Sequence, residues 1–201
     1  MFKLAVLASG RGSNFASIVE KIEAGEVPAA VDVLVSDNPA APALEFARRH
    51  GIETAVFRRE DYPTNKAHNE AIARFLLPRG IDLVVLAGYM RLIKAPLLEA
   101  FPKHIINIHP ALLPAFPGLH AQKQALDYGV RYSGCTVHLV DAGVDSGPVL
   151  LQAVVPVEPD DTEELLSARI LKEEHKLLPR AITLIAQGRV RLEGRKVRIL
   201  S

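Results

Sequence analysis

Three clusters of residues carry the chemistry that this chain of 201 residues offers. The first is the glycine turn Gly10-Arg11-Gly12-Ser13-Asn14, set between an apolar run and a segment of helical spacing. Glycines let backbone N–H groups close on an anion, and the N-terminus of a following helix adds a favourable dipole. Ser13 and Asn14 supply side-chain donors, so the turn reads as a phosphate cradle. The plainer alternative is an ordinary strand-to-helix turn capped by Asn14. The second cluster is Asn107-Ile108-His109-Pro110. Strand alternation sets Asn107 and His109 on one face, and Pro110 stops the strand just beyond them. An amide donor beside an imidazole suits acyl transfer, the amide stabilising an oxyanion and the ring moving protons. A histidine satisfied by neighbouring backbone is the alternative. The third is the acidic, glycine-rich loop Asp141-Ala142-Gly143-Val144-Asp145-Ser146-Gly147-Pro148. An aspartate of this loop, such as Asp145, is a candidate to pair with His109 and fix its tautomer, and two turn-forming aspartates are the equal alternative.

The glycine turn narrows the class of phosphate. A dinucleotide site needs G-x-G-x-x-G, and Phe15 stands where the third glycine belongs. Asp37, at the end of the second apolar run, matches the acid of such a site, so a nicotinamide-dependent oxidoreductase stays open as a competing class. No Lys-Ser/Thr follows the glycines, which excludes a Walker loop. A phosphate monoester fits the turn better than either. His50, His68, His104, His120, His138 and His175 form no metal-ligand spacing with one another or with Cys135. No serine occupies a nucleophile elbow, and Cys135 lies in an apolar strand. Group transfer without metal or covalent intermediate is the economical reading; a non-catalytic nucleotide-binding module is the bland one. Glu174 falls on the stripe Leu166, Ile170, Leu178 and Ile182, spaced by fours. A carboxylate there needs a cationic or amine partner, or reaches water from the stripe's edge.

The elements that must position these residues alternate in type. Apolar runs at Phe2–Ser9, Val31–Ser36, Thr54–Phe57 and Asp82–Ala87 are separated by helical spacing at Asn14–Ala24, Pro42–His50 and Asn65–Leu77. Strand–helix alternation with short connectors predicts an open, mostly parallel sheet with helices on both faces. Further strands are expected at Ile105–Ile108, Cys135–Val140 and Val149–Val155, with a helix at Ala121–Tyr128. A long helix starts near Thr162, with Asp161 and Glu164 as a capping pair, and a terminal hairpin surrounds Glu193-Gly194-Arg195.

Composition bounds the rest. Hydrophobic residues make up 49% and the formal net charge is +1, which excludes a disordered chain and a nucleic-acid-coating one. One cysteine forms no internal disulfide, and the first apolar run is too short for a membrane span or signal peptide. The expectation is a cytoplasmic protein of one domain covering 1–201, with a phosphate-binding half at about 1–100 and a catalytic half at about 101–201.

These motifs resemble those of the phosphoribosylglycinamide (GAR) formyltransferase family of folate-dependent enzymes. The similarity runs from Leu4 to about Gly188. It is carried by Ala8-Ser9-Gly10-Arg11-Gly12-Ser13-Asn14, Val85-Leu86-Ala87-Gly88-Tyr89-Met90-Arg91, Asn107-Ile108-His109-Pro110-Ala111-Leu112-Leu113-Pro114, Pro117-Gly118-Leu119-His120 and Asp145-Ser146-Gly147-Pro148. The resemblance implies a three-layer, Rossmann-like formyltransferase fold. It implies transfer of the formyl group of 10-formyltetrahydrofolate, as co-substrate and without metal, to the amine of GAR in purine biosynthesis. Gly12, Ser13, Asn14 and Glu174 would bind GAR. Met90, Arg91, Leu92, Ile93, Asn107, Val140 and Asp141 would line the folate pocket, and Asn107, His109 and Asp145 would be catalytic. The chain departs from the family pattern at Ala111 and Ser146. Asn65 stands where a basic folate contact often lies, leaving the adjacent Lys66 as the candidate. Partners would be the two small molecules, with no nucleic acid or membrane, and the protein a monomer or homodimer. Methionyl-tRNA formyltransferase and formyltetrahydrofolate hydrolase, which carry additional domains, are the nearest alternatives, and the length of this chain is expected to leave no room for those domains.

Overall fold

The run Phe2-Lys3-Leu4-Ala5-Val6-Leu7 forms strand β1 (Phe2–Leu7), in which Leu4 to Leu7 have no solvent exposure. It is apolar on both faces because it is central. Strand β2 (Ala29–Ser36) pairs with it on one side and β4 (Leu83–Leu86) on the other, both parallel. Strand β3 (Glu53–Val56) pairs with β2, and β5 (Ile105–His109) with β4, again parallel. Each fully buried leucine or isoleucine in these strands contributes roughly 1.5–3 kcal/mol of transfer free energy.

The structure describes residues 1–200, as a computed structural model, and the chain clusters into two compact units, Met1–Asn107 and Ile108–Ser201. In the first, helices α1 (Ser13–Glu23), α2 (Pro42–Arg49), α3 (Asn65–Leu76) and α4 (Ala95–Ala100) follow β1, β2, β3 and β4 in turn. The predicted alternation therefore holds, with α4 as an addition. Asn14 does not cap α1. Gly12 occupies that position with φ 73°, and Asn14 lies inside the first turn. Placing the αL residue at Gly12 lets the chain turn from strand to helix within a few residues.

In the second unit, helix α5 (Ala121–Tyr128) precedes an antiparallel pair, β6 (Tyr132–Leu139) and β7 (Val149–Pro156). β6 begins earlier than its apolar core suggested, because Tyr132 and Ser133 pair with Pro156 and Val155. Helix α6 (Glu163–Ala186) buries Leu166, Ile170, Glu174, Leu178 and Ile182, the predicted stripe. Its cap is Thr162, whose Oγ1 accepts the Leu165 N–H at 3.3 Å. The expected Asp161–Glu164 cap does not form, since Asp161 is held by both nitrogens of the Arg169 fork at 2.6 and 2.9 Å. Strands β8 (Val190–Glu193) and β9 (Lys196–Ile199) make the terminal hairpin. The fold is α/β, with a mixed, mostly parallel seven-stranded sheet of order β3-β2-β1-β4-β5-β6-β7. No helix among the described residues is long and apolar enough to cross a membrane.

Candidate active site

The carboxyl ends of β1 and β4 frame a hollow of about 250 Å³ lined by Ser9, Gly10, Arg11, Gly12, Ser13, Asn14, Ala87, Gly88 and Met90. Gly12 is there for two reasons. Its φ is in the left-handed region, and a Cβ would stand 2.5 Å from that of Ala43 on α2. The first-turn N–H groups of α1 have no intrahelical acceptors, and no acidic residue in that turn opposes the helix dipole. The hollow therefore offers backbone donors and a positive helix end to a small anion, with Ser13 and Asn14 beside them.

The opposite wall belongs to the segment after β4, and three side chains hold it. Ser9 Oγ accepts the Met90 N–H at 2.9 Å, and Asp37 Oδ2 accepts from Arg91 Nε at 2.5 Å. Asn69 on α3 donates to the Leu92 carbonyl at 3.1 Å and accepts the Lys94 N–H at 2.9 Å. Met90, Arg91 and Leu92 stay exposed, whereas Ile93 is buried. Asp37, the acid that a dinucleotide site would use, is thus committed to Arg91. Lys66 is exposed on α3; its neighbour Asn65 accepts from Arg59 Nε at 2.6 Å.

In the second unit, His109 ends β5 with its side chain 5% exposed. Its Nδ1 lies 3.3 Å from Asp145 Oδ2 and its Nε2 is 2.8 Å from the carbonyl of Phe116. Asp145 also accepts the Gly118 N–H at 2.8 Å, and its Oδ1 lies 3.6 Å from Nε2 of His138. Burial pushes the Asp145 carboxyl up, but His138, the Gly118 N–H and His109 outweigh it, so it titrates below the usual carboxylate range. Asp145 adopts φ 50° and Phe116 φ 55°, sparsely populated conformations that turn the carboxylate and the carbonyl onto the imidazole. The loop around Ala111 is fixed by Thr136, which donates to the Ala111 carbonyl at 2.7 Å and accepts the Leu113 N–H at 3.1 Å.

The pairing of Asp145 with His109 matches the reading from sequence. Asn107, half-buried, precedes His109 by two positions on β5. Asp141 organises its own loop, its Oδ1 accepting from the Gly143 N–H at 3.0 Å and Ser146 Oγ at 2.6 Å; Val140 precedes it, partly exposed. Glu174 is 6% exposed on α6 and raises the Cys135 thiol electrostatically, on top of the larger effect of burial. Sequence reading passed over His138, the Phe116 carbonyl and the Gly118 N–H. Of these only His138 left a signal, an imidazole in a mostly apolar strand. Among the described residues, no three His, Cys, Asp or Glu side chains are grouped to hold a metal ion.

A family model described as formyl transferase matches residues 2–182. The chain is 44% identical over 182 residues to the phosphoribosylglycinamide formyltransferase of Bacillus subtilis, covering 90% of this chain and 93% of that protein. It is 41% identical over 188 residues to the trifunctional purine biosynthetic protein adenosine-3 of Drosophila melanogaster, covering 92% of this chain but only 14% of that larger protein. The crystal structure of glycinamide ribonucleotide transformylase 1 from Symbiobacterium toebii superposes with a TM-score of 0.98 at 52% identity, over 100% of this chain and 95% of that one.

Proposed function

Because the chain belongs to the formyl transferase family, we propose that it moves the formyl group of 10-formyltetrahydrofolate to the amine of GAR in de novo purine biosynthesis. The observation that carries the chemistry is the His109–Asp145 pair at the end of β5. The amine lone pair of GAR attacks the formyl carbon, a C–N bond forms, and the carbonyl electrons move onto oxygen. Asn107 and protonated His109 stabilise that oxyanion. Collapse breaks the bond to folate N10, which takes up the proton of His109, and the proton shed by the attacking nitrogen passes to the imidazole and restores it. Asp145 holds the ring and balances its charge. To act on substrate, the Nε2 proton of His109 exchanges the Phe116 carbonyl for the reacting oxygen.

Gly12, Ser13 and Asn14 hold the ribose phosphate, and Glu174 attends the rest of GAR. The family resemblance assigns folate contacts to Met90, Arg91, Leu92, Ile93 and Asn107 in the first unit, with Lys66 as the candidate basic residue, and to Val140 and Asp141 in the second. Residues 1–201 act as one formyltransferase domain with a phosphate-binding half and a catalytic half. It works in the cytoplasm as a monomer or homodimer on two small molecules, without metal. The engagement of Asp37 by Arg91 speaks against the nicotinamide alternative, whose acid must face a ribose.

The direct test is formyl transfer measured with GAR and 10-formyltetrahydrofolate, with and without a chelator. Transfer unaffected by chelation is expected. Absence of transfer sinks the assignment, and chelator sensitivity sinks the metal-free mechanism.

A further inference from the structure

Asp37 is a buried acid that the proposed reaction does not use. Its side chain is 3% exposed, and only Oδ2 is paired, to Arg91 Nε; Oδ1 is buried with no hydrogen-bond partner. Removing a carboxylate from water for one cation is a poor way to gain stability, since desolvation cancels much of the attraction. What such a pair fixes is geometry. Arg91 lies 54 residues on in the chain, in the middle of the segment that Ser9 fixes at Met90 and Asn69 fixes at Leu92 and Lys94. The three contacts come from three elements: the end of β1, the end of β2 and α3. Each meets a different residue of one short stretch, whose Met90, Arg91 and Leu92 remain exposed. The Asp37 contact differs from the other two in gripping that stretch through a side chain, that of Arg91, which is itself 44% exposed.

We infer that Asp37 is a positioning residue for the formyl donor, acting through Arg91 to hold residues 90–94 in the shape that receives it. This rests on the folate role of that segment proposed above. The oxygen paired with Arg91 is the one that matters, and the Asp37→Asn substitution keeps the volume while removing the charge.

The test is steady-state kinetics of wild type, Asp37→Asn, Arg91→Ala and the double variant, with hydrogen exchange of the Met90 and Lys94 amides measured in wild type and Asp37→Asn. Asp37→Asn is expected to raise KM for 10-formyltetrahydrofolate about tenfold, with KM for GAR and kcat each within about threefold. The double variant should match Arg91→Ala, because both changes break one contact. Exchange at Met90 and Lys94 should quicken about tenfold in Asp37→Asn while the β1 amides stay protected. An unchanged donor KM, additive effects or unchanged exchange in this variant overturns the inference. A wild type that transfers no formyl group instead overturns the functional reading, and the exchange experiment still decides whether Asp37 fixes the segment. Should Asp37→Asn fail to fold, Asp37→Glu, which keeps the charge but displaces it, must show the same donor-specific KM rise; an effect spread over both substrates overturns the inference.

Discussion

Asp145 Oδ2 lies 3.3 Å from Nδ1 of His109, whose other ring nitrogen is 2.8 Å from a backbone carbonyl. Both neighbours are acceptors: an ionised carboxylate and a carbonyl oxygen have no proton to give. A proton on either ring nitrogen therefore finds an acceptor beside it, which is the setting that the proposed proton transfer requires. His109→Ala is expected to lower kcat by roughly 10²–10⁴-fold. Asp145→Asn, which keeps the shape and loses the charge, should also lower kcat sharply. In both, KM for GAR should barely move, because neither change touches the glycine turn proposed to hold the phosphate. Near-wild-type turnover in either variant defeats the mechanism.

The pH dependence of stability follows from the same carboxylate. Its pKa is depressed on folding, so the unfolded chain binds the proton more readily. The stabilisation is therefore fully present above the ordinary value of 3.8 and is lost as pH falls through the lower folded value. Urea unfolding of wild type and Asp145→Asn across acidic pH should show a stability difference that is constant above about pH 5 and shrinks below the unfolded-state pKa. A difference independent of pH would contradict the electrostatic origin.

His138 lies against the other oxygen of Asp145 at 3.6 Å, with Nδ1 fixed by the Leu139 carbonyl at 2.9 Å. It is placed to hold the carboxylate from behind while His109 uses the front. His138→Asn should lower kcat about tenfold, equivalent to about 1.4 kcal/mol, the scale of a lost hydrogen bond to a charged group. Both KM values should stay within about twofold, and the loss should vanish in a His109→Ala background, because His138 acts through that ring. An equal loss in both backgrounds would assign His138 a separate, structural role.

The legibility of these features in the sequence depended on how local their causes are. β1 and the glycine turn were readable because a central parallel strand is apolar throughout and a sharp exit requires glycine; both signals lie within a dozen residues. The pairing of Asn107 and His109 on β5 was readable from alternation alone. α4 was not, since Ala95–Ala100 is too short to show a helical period. The role of His138 was hidden because Ser133 to Leu139 are all buried, so a polar residue in β6 looks like a core oddity until the loop carrying Asp145 closes on it. The Asp37–Arg91 pair was likewise invisible, and it reversed the meaning of Asp37: a residue that matched a ribose-binding acid by position is one that grips an arginine. Asp161 shows the same effect at a helix end. Its residue type suited a cap, but the bidentate reach of Arg169 across two turns outcompeted the backbone amide.

Gly10 and Gly12, in the turn proposed to hold the phosphate, make opposite predictions. At Gly10 an added Cβ meets nothing within 4 Å, whereas at Gly12 it collides with Ala43 and the backbone is left-handed. Gly12→Ala must therefore push α1 away from α2 or change the turn, and either response moves the first-turn N–H groups that face the hollow. A loss of about 1–3 kcal/mol in stability is expected, from overpacking and the strained φ together. KM for GAR should rise more than tenfold while KM for the formyl donor changes little, since the segment after β4 is held by other residues. Gly10→Ala, by contrast, should melt like wild type, and any loss it shows should be confined to GAR binding through blocked approach of the phosphate. Thermal melts and the two KM values of both variants decide the matter. If Gly12→Ala retains wild-type stability and GAR affinity, the turn is not shaped by the contact with Ala43, and the phosphate lies elsewhere.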